Sequence, residues 1–178
     1  MKSLGLWNAI GNNSNLGVLQ SSGAGPTYET PAYENEGGTG DRQSIITITT
    51  DLSIFGEFSG MVDGNTADGP FTLENADIAG KEIVVDFRAI ADLVKINEIK
   101  FYKTAAAQSL GTWQMKISTD GAAYANTGSK FELGGTGDNP QILTIDAEGF
   151  GLLKFVGVSG STPIFQMFEF EFKIGSLQ

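Results

Sequence analysis

The feature that most constrains this chain is a succession of short β-rich segments, separated from one another by glycine, asparagine, aspartate or proline. Seven segments stand out, at residues 44–50, 82–87, 97–102, 112–118, 141–146, 152–158 and 165–174. In the last segment Phe168, Phe170, Phe172 and Ile174 alternate with Met167, Glu169, Glu171 and Lys173, which predicts one apolar and one polar face. Strands spaced in this way predict an all-β chain folded as an antiparallel β-sandwich from about residue 41.

One stretch also has the spacing of a helix. Residues 89–100 place Ile90, Leu93, Val94 and Ile96 at intervals that a helical face would use. The β-rich run "IKFY" completes this stretch, so we expect a loop that enters a strand.

Two glycine-rich segments share a short sequence motif. Residues 37–48 and 134–145 share Gly-Gly-Thr-Gly-Asp and a later Ile-x-Thr-Ile. We interpret both as glycine turns that supply positive φ before a β-branched strand. A phosphate-binding loop is the alternative, but it would need a following lysine and a helix N-terminus.

Composition excludes several classes of protein. An apolar content of 40%, with 12 Phe and 2 Trp, is enough for a core, and 24 Gly are typical of many turns. The net charge of −10 repels phosphate backbones, which argues against nucleic-acid binding. The sequence has no Cys and no His, so disulfides, thiolate metal sites and the usual general base are excluded.

Nothing in the sequence predicts membrane insertion or secretion. No apolar run approaches the roughly 18 residues of a membrane span. The N-terminal residues lack the continuous apolar stretch of a secretory signal, so we expect synthesis and folding in a cytoplasm.

Residues 1–40 differ from the rest of the chain. They are rich in Gly, Asn, Ser and Thr and show no sustained period, which is typical of a flexible tail. The alternative is an extended arm that becomes ordered against a partner subunit. Its apolar and aromatic residues favour that alternative: Leu4, Leu6, Trp7, Ile10, Leu16, Val18, Leu19, Tyr28 and Tyr33. We therefore predict an N-terminal arm at 1–40 and a β-sandwich domain at 41–178.

Three segments together resemble the discoidin domain, the coagulation factor 5/8 C-terminal type, which belongs to the galactose-binding-like jelly rolls. The first is "MVDGNTADGPF" at 61–71, similar to the family's Asp-Gly-Asn turn before an aromatic residue. The second runs from "IVVDF" to "GTWQMKISTDGAAY", similar to its Trp-x-x-x-x-Ser-x-Asp-Gly-x-x-aromatic signature. The third, "LLKFVGVSGS" followed by "FQMFEFEF", is similar to its closing hairpin.

The resemblance implies roles for the signature residues. Trp113 would fill the core between two sheets, Asp120-Gly121 would make a tight reversal, and Tyr124 would close over the turn as a core residue.

A structural calcium ion is a further implication of the resemblance. Many discoidin-like domains hold one between the Asp-Gly-Asn turn and a glutamate of the last strand. The corresponding residues are Asp63, Asn65, Asp68 and Glu169, with Asp68 where the family usually has Thr. A plain β-turn at 63–65 is the alternative.

The resemblance also implies binding rather than catalysis, through loops at one end of the fold. The loop aromatics predicted to contact a ligand are Phe71, Tyr102 and Phe150, and a cell-surface glycan is the ligand class to test. Carboxylate pairs drawn from Asp63, Asp68, Asp86 and Glu169 are the alternative basis for a hydrolase. Because no motif with a catalytic mechanism accompanies them, we predict that the chain is not an enzyme.

Acidic chains without Cys or His that combine an irregular arm with one jelly roll resemble bacteriophage virion proteins. The first functional hypothesis is therefore a decoration, fibre, or tail and baseplate component. It would localise to the virion and dock on other virion proteins and on copies of itself through the arm. The second hypothesis is a carbohydrate-binding module that attaches to a glycan surface.

Overall fold

A computed structural model describes residues 27–33, 41–66, 71–73, 77–103, 109–135, 138–160 and 165–178. Across these ranges the chain is β-structure with one short 3₁₀ helix, Phe58–Val62. The strands, in chain order, are β1 Ala32–Tyr33, β2 Thr47–Thr50, β3 Ile54–Phe55, β4 Phe71–Leu73, β5 Glu82–Asp86, β6 Val94–Lys103, β7 Ser109–Ser118, β8 Ala125–Gly134, β9 Gln141–Phe150, β10 Leu152–Ser159 and β11 Phe165–Ser176.

The strands form two antiparallel sheets. One has the order β3-β4-β11-β6-β9, with β1 also paired to β11, and the other has the order β2-β5-β10-β7-β8. Neighbouring strands are mostly distant in sequence, as in β10 between β5 and β7. The prediction of an all-β antiparallel sandwich is confirmed.

The core lies between the sheets because alternate side chains of each strand point to the same face. Buried positions alternate along β5, and along β6 with one interruption at Asn97 and Glu98, where its pairing with β9 shifts. The aromatic rings pack edge to face, with Phe101 centred 4.5 Å from Phe170 and Phe87 centred 5.0 Å from Phe172. This is the geometry that the ring quadrupoles favour.

All seven predicted strands are present, with shifted ends. Residues 89–93 form a loop and β6 begins at Val94, which confirms the loop-to-strand prediction. The longest strand absent from the predictions is β8, where Gly128 and several polar residues form an edge strand beside β7. Of the two glycine segments, the second has the expected positive φ at Gly134 (84°) and Gly135 (82°), and 37–40 lies outside the described residues.

The face predicted for the last strand is wrong at its start. The pairing of β11 with β6 shifts between Met167 and Glu169, so Phe168 occupies a β-bulge. A bulge inserts one residue and exchanges the faces on either side of it. Met167 is consequently buried and Phe168 is partly exposed, whereas Phe170, Phe172 and Ile174 are buried as predicted.

The described part of the predicted arm packs on the sandwich of its own chain. Strand β1 pairs with β11 at Ala32 and Tyr33, and Tyr28 forms an isolated bridge with Leu177. The Tyr33 hydroxyl donates a hydrogen bond to the Glu98 carboxylate. These contacts lie within one chain, so the contact of Tyr28 and Tyr33 with another subunit stays a prediction. The remaining arm residues, Leu4, Leu6, Trp7, Ile10, Leu16, Val18 and Leu19, lie outside the described residues.

No helical segment within the described ranges has the length and apolar character needed to cross a membrane.

Candidate functional site

The Ser-x-Asp-Gly segment forms the reversal between β7 and β8. The Ser118 hydroxyl accepts a hydrogen bond from the Gly121 amide at 2.9 Å, and the Asp120 carboxylate accepts one from the Ala122 amide at 2.9 Å. Such side-chain bonds to nearby amides are the reason that Ser and Asp favour turns. The predicted reversal at Asp120-Gly121 is confirmed.

The two aromatics of this signature have different environments. Trp113 is fully buried in the core, as predicted, and its indole N–H donates to the Leu110 carbonyl at 3.1 Å. Tyr124 is only half-buried, which corrects the prediction of a core residue. It follows the reversal immediately, so its ring lies where the turn meets the surface.

Three connections meet around this turn at one end of the sandwich. The Gly151 amide donates to the Ser118 carbonyl at 3.0 Å, and the Phe87 amide donates to the Gly151 carbonyl at 2.9 Å. The β5–β6, β7–β8 and β9–β10 connections are thereby fixed against one another. A backbone frame of this kind holds surface side chains in defined positions.

A surface cavity of about 350 Å³ opens beside Tyr124. We call it the Tyr124 pocket; residues 117–119, 123–125 and 149–150 line it. Ile117, Ala123, Ala125 and Phe150 supply apolar surface, and Ser118 and Thr119 supply hydroxyl groups. The volume lies in the range of about 300–1,000 Å³ that is usual for small-molecule sites.

Charged side chains surround Tyr124. The Lys154 ammonium lies 4.1 Å from the centre of the Tyr124 ring and 2.8 Å from the Glu82 carboxylate. This cation–π contact and ion pair hold the ring in place from one side. Lysine and tyrosine are adjacent here because β10 lies beside β7, from which the chain turns into Tyr124.

Arg88 and Asp86 form a two-pronged ion pair in the same region. The Arg88 Nη2 and Nε atoms lie 2.6 Å and 2.9 Å from the Asp86 carboxylate oxygens. The hydrogen bonds from Arg88 lower the pKa of Asp86, more than burial raises it. The pKa of Arg88 is raised chiefly by its hydrogen bonds to Asp86. A Cβ atom at Gly151 would lie 2.7 Å from Arg88 Cγ and 3.0 Å from the Thr119 carbonyl oxygen, so the Arg88 side chain passes beside the turn. The side chain of Arg88 is 47% exposed and accessible to a ligand.

The sequence did not indicate Arg88 or Lys154 as site residues. Arg88 directly follows a predicted strand, and Lys154 is the polar member of an otherwise apolar run. Their position beside Tyr124 results from the pairing of β5, β10 and β7, which the sequence alone does not fix.

The predicted loop aromatics are not brought together. Phe150 ends β9 with only 1% exposure, and its ring packs edge to face on Phe87 at 6.2 Å. Tyr102 lies within β6, where its hydroxyl donates to the buried Glu171 carboxylate at 3.0 Å. Burial and this carboxylate raise the pKa of Tyr102 to about 12. The prediction that Tyr102 is a loop residue is therefore corrected, whereas Phe150 ends a strand but lines the Tyr124 pocket, so its contact with a ligand stays a prediction. Phe71 begins β4, and its side chain lies outside the description.

The structure brings the Asp63–Asn65 turn and Glu169 together, as the resemblance implied. The Gly64 amide donates to Glu169 Oε2 at 3.1 Å, and the Asn65 amide donates to Asp63 Oδ1 at 2.8 Å. Asp68 lies outside the described residues.

Arg42 is the residue at this turn that sequence reasoning missed. Its guanidinium donates to Glu169 Oε1 and to the Phe170 carbonyl, the latter at 2.6 Å. The only signal in the sequence was that the chain has just two arginines, each beside a predicted strand.

Hydrogen bonds at this turn already occupy oxygen atoms that a calcium ion would need. Calcium takes six to eight oxygen ligands, whereas both Glu169 oxygens already accept hydrogen bonds from nitrogen donors. Within the described ranges, no group of three or more acidic, histidine or cysteine side chains is arranged to hold a metal. Calcium binding here stays a prediction, and Arg42 is considered further below.

Comparison of the chain with known proteins gives information on its fold. No protein-family model matches the chain, and no curated protein matches it in sequence. Among solved structures, the chain is similar to the family 32 carbohydrate-binding module of NanJ from C. perfringens in complex with galactose. The TM-score is 0.55 at 12% identity, covering 75% of this chain and 97% of that one.

Two further structures agree with this. The CBM32 of AlyQ in complex with 4,5-unsaturated mannuronic acid matches with a TM-score of 0.53 at 14% identity, over 72% of this chain and 94% of that one. A putative chitobiase fragment from Bacteroides thetaiotaomicron matches with a TM-score of 0.56 at 12% identity, over 80% of this chain and 92% of that one.

The fold that these observations define is the galactose-binding-like, discoidin-like jelly roll, which confirms the fold that the signature residues implied. More particularly, the structural neighbours are family 32 carbohydrate-binding modules. At these identities the likeness establishes the fold, and the bacteriophage context is not shown by it.

Proposed function

We propose that this protein is a non-catalytic carbohydrate-binding module and that the Tyr124 pocket is its glycan site. The observation that carries the proposal is a pocket lined by the Tyr124 ring and apolar side chains, with the exposed Arg88–Asp86 pair outside the lining but beside the same turn. The fold supports it, because structures with the same architecture were solved in complex with galactose and with an unsaturated mannuronic acid.

The chemistry of a sugar suits this pocket. One face of a pyranose ring carries C–H groups that pack on aromatic and aliphatic surface, here Tyr124 and Ile117. The hydroxyl groups at its rim both donate and accept hydrogen bonds. Arg88 can donate to them, while Asp86 and the hydroxyls of Ser118 and Thr119 can accept.

The charge around the pocket favours a neutral glycan. Lys154 and Arg88 are already paired with Glu82 and Asp86, and Asp120 lies near Arg88. An anionic sugar would have to compete with these carboxylates for the two cations. The net charge of −10 opposes its approach further. We therefore expect neutral sugars to bind more tightly than uronic acids.

The test is a screen of the full chain against neutral and acidic oligosaccharides, followed by titration calorimetry on any glycan retained. Tyr124→Ala and Arg88→Gln should each weaken binding about 10-fold or more, because a buried contact or a charge-assisted hydrogen bond is lost. Tyr102→Phe is the matched control, since Tyr102 lies within β6 and bonds to Glu171. Binding that survives Tyr124→Ala, or that falls equally in the control, would overturn the assignment to this pocket.

The virion hypothesis is the less supported of the two. Its docking residues belong to the predicted arm at 1–40; most of them lie outside the described part of the chain, and Tyr28 and Tyr33 pair with their own sandwich. Location in a virion and self-association through the arm at 1–40 stay predictions. They are compatible with glycan binding, because an anchoring arm and a binding domain serve different steps of attachment.

A further inference from the structure

A buried ion pair occupies the turn where the resemblance implied calcium. Arg42 and Glu169 are 1% and 0% exposed, and they belong to segments separated by more than a hundred residues. Burying two charges costs free energy unless they neutralise each other and their remaining hydrogen-bonding groups are used. A fully buried ion pair of this kind therefore indicates a structural role for the two charges.

Arg42 is held in place through its backbone as well as its side chain. Its amide donates to the Val62 carbonyl at 2.8 Å, and its carbonyl accepts from the Ile46 amide at 2.8 Å. The guanidinium spans the gap to β11, where it donates to Glu169 and to the Phe170 carbonyl. One side chain thus connects the 41–46 turn, the end of the 3₁₀ helix and the last strand.

Glu169 connects the same elements from the opposite direction. One carboxylate oxygen accepts from Arg42 and the other from the Gly64 amide at 3.1 Å, so the carboxylate holds the 63–65 turn against β11. A calcium ion coordinated between that turn and Glu169 would make the same connection. It would also lie beside the guanidinium, where two positive charges repel each other.

We propose that Arg42 is a built-in cation that takes the structural place of calcium in this domain. Its guanidinium supplies the positive charge and a fixed fork of donors, which neutralise Glu169 and tie the turn to the last strand. Unlike a bound metal, this cation is covalently attached and stays charged at any physiological pH. The domain consequently folds at any calcium concentration. This inference does not rest on the glycan proposal.

The first test needs no substitution. The thermal midpoint of the full chain is measured with excess EDTA and with millimolar CaCl₂, and Tb³⁺ luminescence is used as a direct probe of a calcium site. We expect equal midpoints and no saturable Tb³⁺ signal. A midpoint raised by calcium or lowered by EDTA, or a saturable Tb³⁺ signal abolished by Glu169→Gln, would overturn the proposal.

The second test removes the cation. Arg42→Gln leaves Glu169 buried without its counter-charge, and we expect the thermal midpoint to fall by about 10 °C. Arg88→Gln is the matched control, because it removes an exposed paired arginine, and it should lower the midpoint by about 3 °C or less. The double variant Arg42→Gln/Glu169→Gln should recover part of the loss, because the uncompensated charge is gone.

If Arg42→Gln does not fold, Arg42→Lys replaces it, since lysine keeps the charge but lacks the fork. We expect Arg42→Lys to have a thermal midpoint below that of the unsubstituted chain and still insensitive to calcium and EDTA. Equal losses for Arg42→Gln and Arg88→Gln, or additive losses in the double variant, would show that the pair does not act as a structural cation site.

Discussion

Gly157 gives the sharpest test of how the sandwich is closed at the end away from the Tyr124 pocket. A Cβ atom at this position would lie 2.0 Å from the Ile78 carbonyl oxygen and 2.9 Å from its carbonyl carbon. Both are backbone atoms, so no side-chain rotation relieves the overlap. Gly157→Ala therefore forces the 77–81 segment away from β10.

The displacement breaks identifiable contacts. The Gly80 amide donates to the Gly157 carbonyl at 2.9 Å, and the Gly157 amide donates to the Lys81 carbonyl at 2.8 Å. Each bond contributes about 0.5–1.5 kcal/mol, and withdrawing the fully buried Ile78 from the core costs about 1.5–3 kcal/mol. We expect Gly157→Ala to lower the free energy of unfolding by about 3–5 kcal/mol, which corresponds to a midpoint lower by about 6–20 °C.

Gly80→Ala is the matched control on the same segment. Gly80 has φ of +79°, but a Cβ atom there meets nothing within 4 Å. Its substitution adds only backbone strain of about 1 kcal/mol, or about 2–4 °C. Thermal and urea unfolding of both variants measure the difference. If Gly157→Ala is no more destabilising than Gly80→Ala, the close approach of Ile78 to β10 is not what requires glycine, and the argument fails.

Two further predictions concern the core and the alkaline limit of stability. Trp113→Phe should lower the free energy of unfolding by about 2–3 kcal/mol in urea denaturation. The substitution removes core volume and leaves the Leu110 carbonyl without its indole donor. A loss below about 0.5 kcal/mol would contradict this packing. The pKa of Tyr102 is raised to about 12, so the folded state holds the phenol proton more tightly than the unfolded state does. The resulting contribution to the free energy of unfolding is complete below pH 10 and is lost as the pH rises towards 12. Tyr102→Phe should make unfolding less dependent on pH in that window, and an unchanged dependence would show that Tyr102 does not carry it.

Much of the fold was predictable from the sequence, because strand formation depends on local patterns. Period-two alternation located seven strands, and the glycine, asparagine and aspartate residues between them marked the turns. The signature from Trp113 to Gly121 fixed one hairpin and indicated the fold family. The edge strand β8 escaped prediction because an edge strand with solvent on most of its surface needs no apolar alternation.

Local patterns also failed where pairing changes which way a residue points. The β-bulge at Phe168 exchanges the faces of β11, so Met167 is buried although the alternation assigned it to the polar side. The same strand buries Glu169 and Glu171, which alternation predicted to be exposed. Their carboxylates are buried with hydrogen-bonding partners, Arg42 of the 41–46 turn for Glu169 and Tyr102 of the neighbouring strand β6 for Glu171.

The sequence by itself determined the β-class, the positions of seven strands along the chain and the hairpin at Asp120-Gly121, and the family pattern implied the juxtaposition of the 63–65 turn with Glu169. Only the tertiary structure decided which side chains meet. Pairing of β5, β10 and β7 brings Lys154 over the Tyr124 ring and Arg88 beside the same turn, and the 41–46 turn carries Arg42 to Glu169. Such contacts join residues far apart in the chain, and their geometry follows from sheet order and burial rather than from any local pattern.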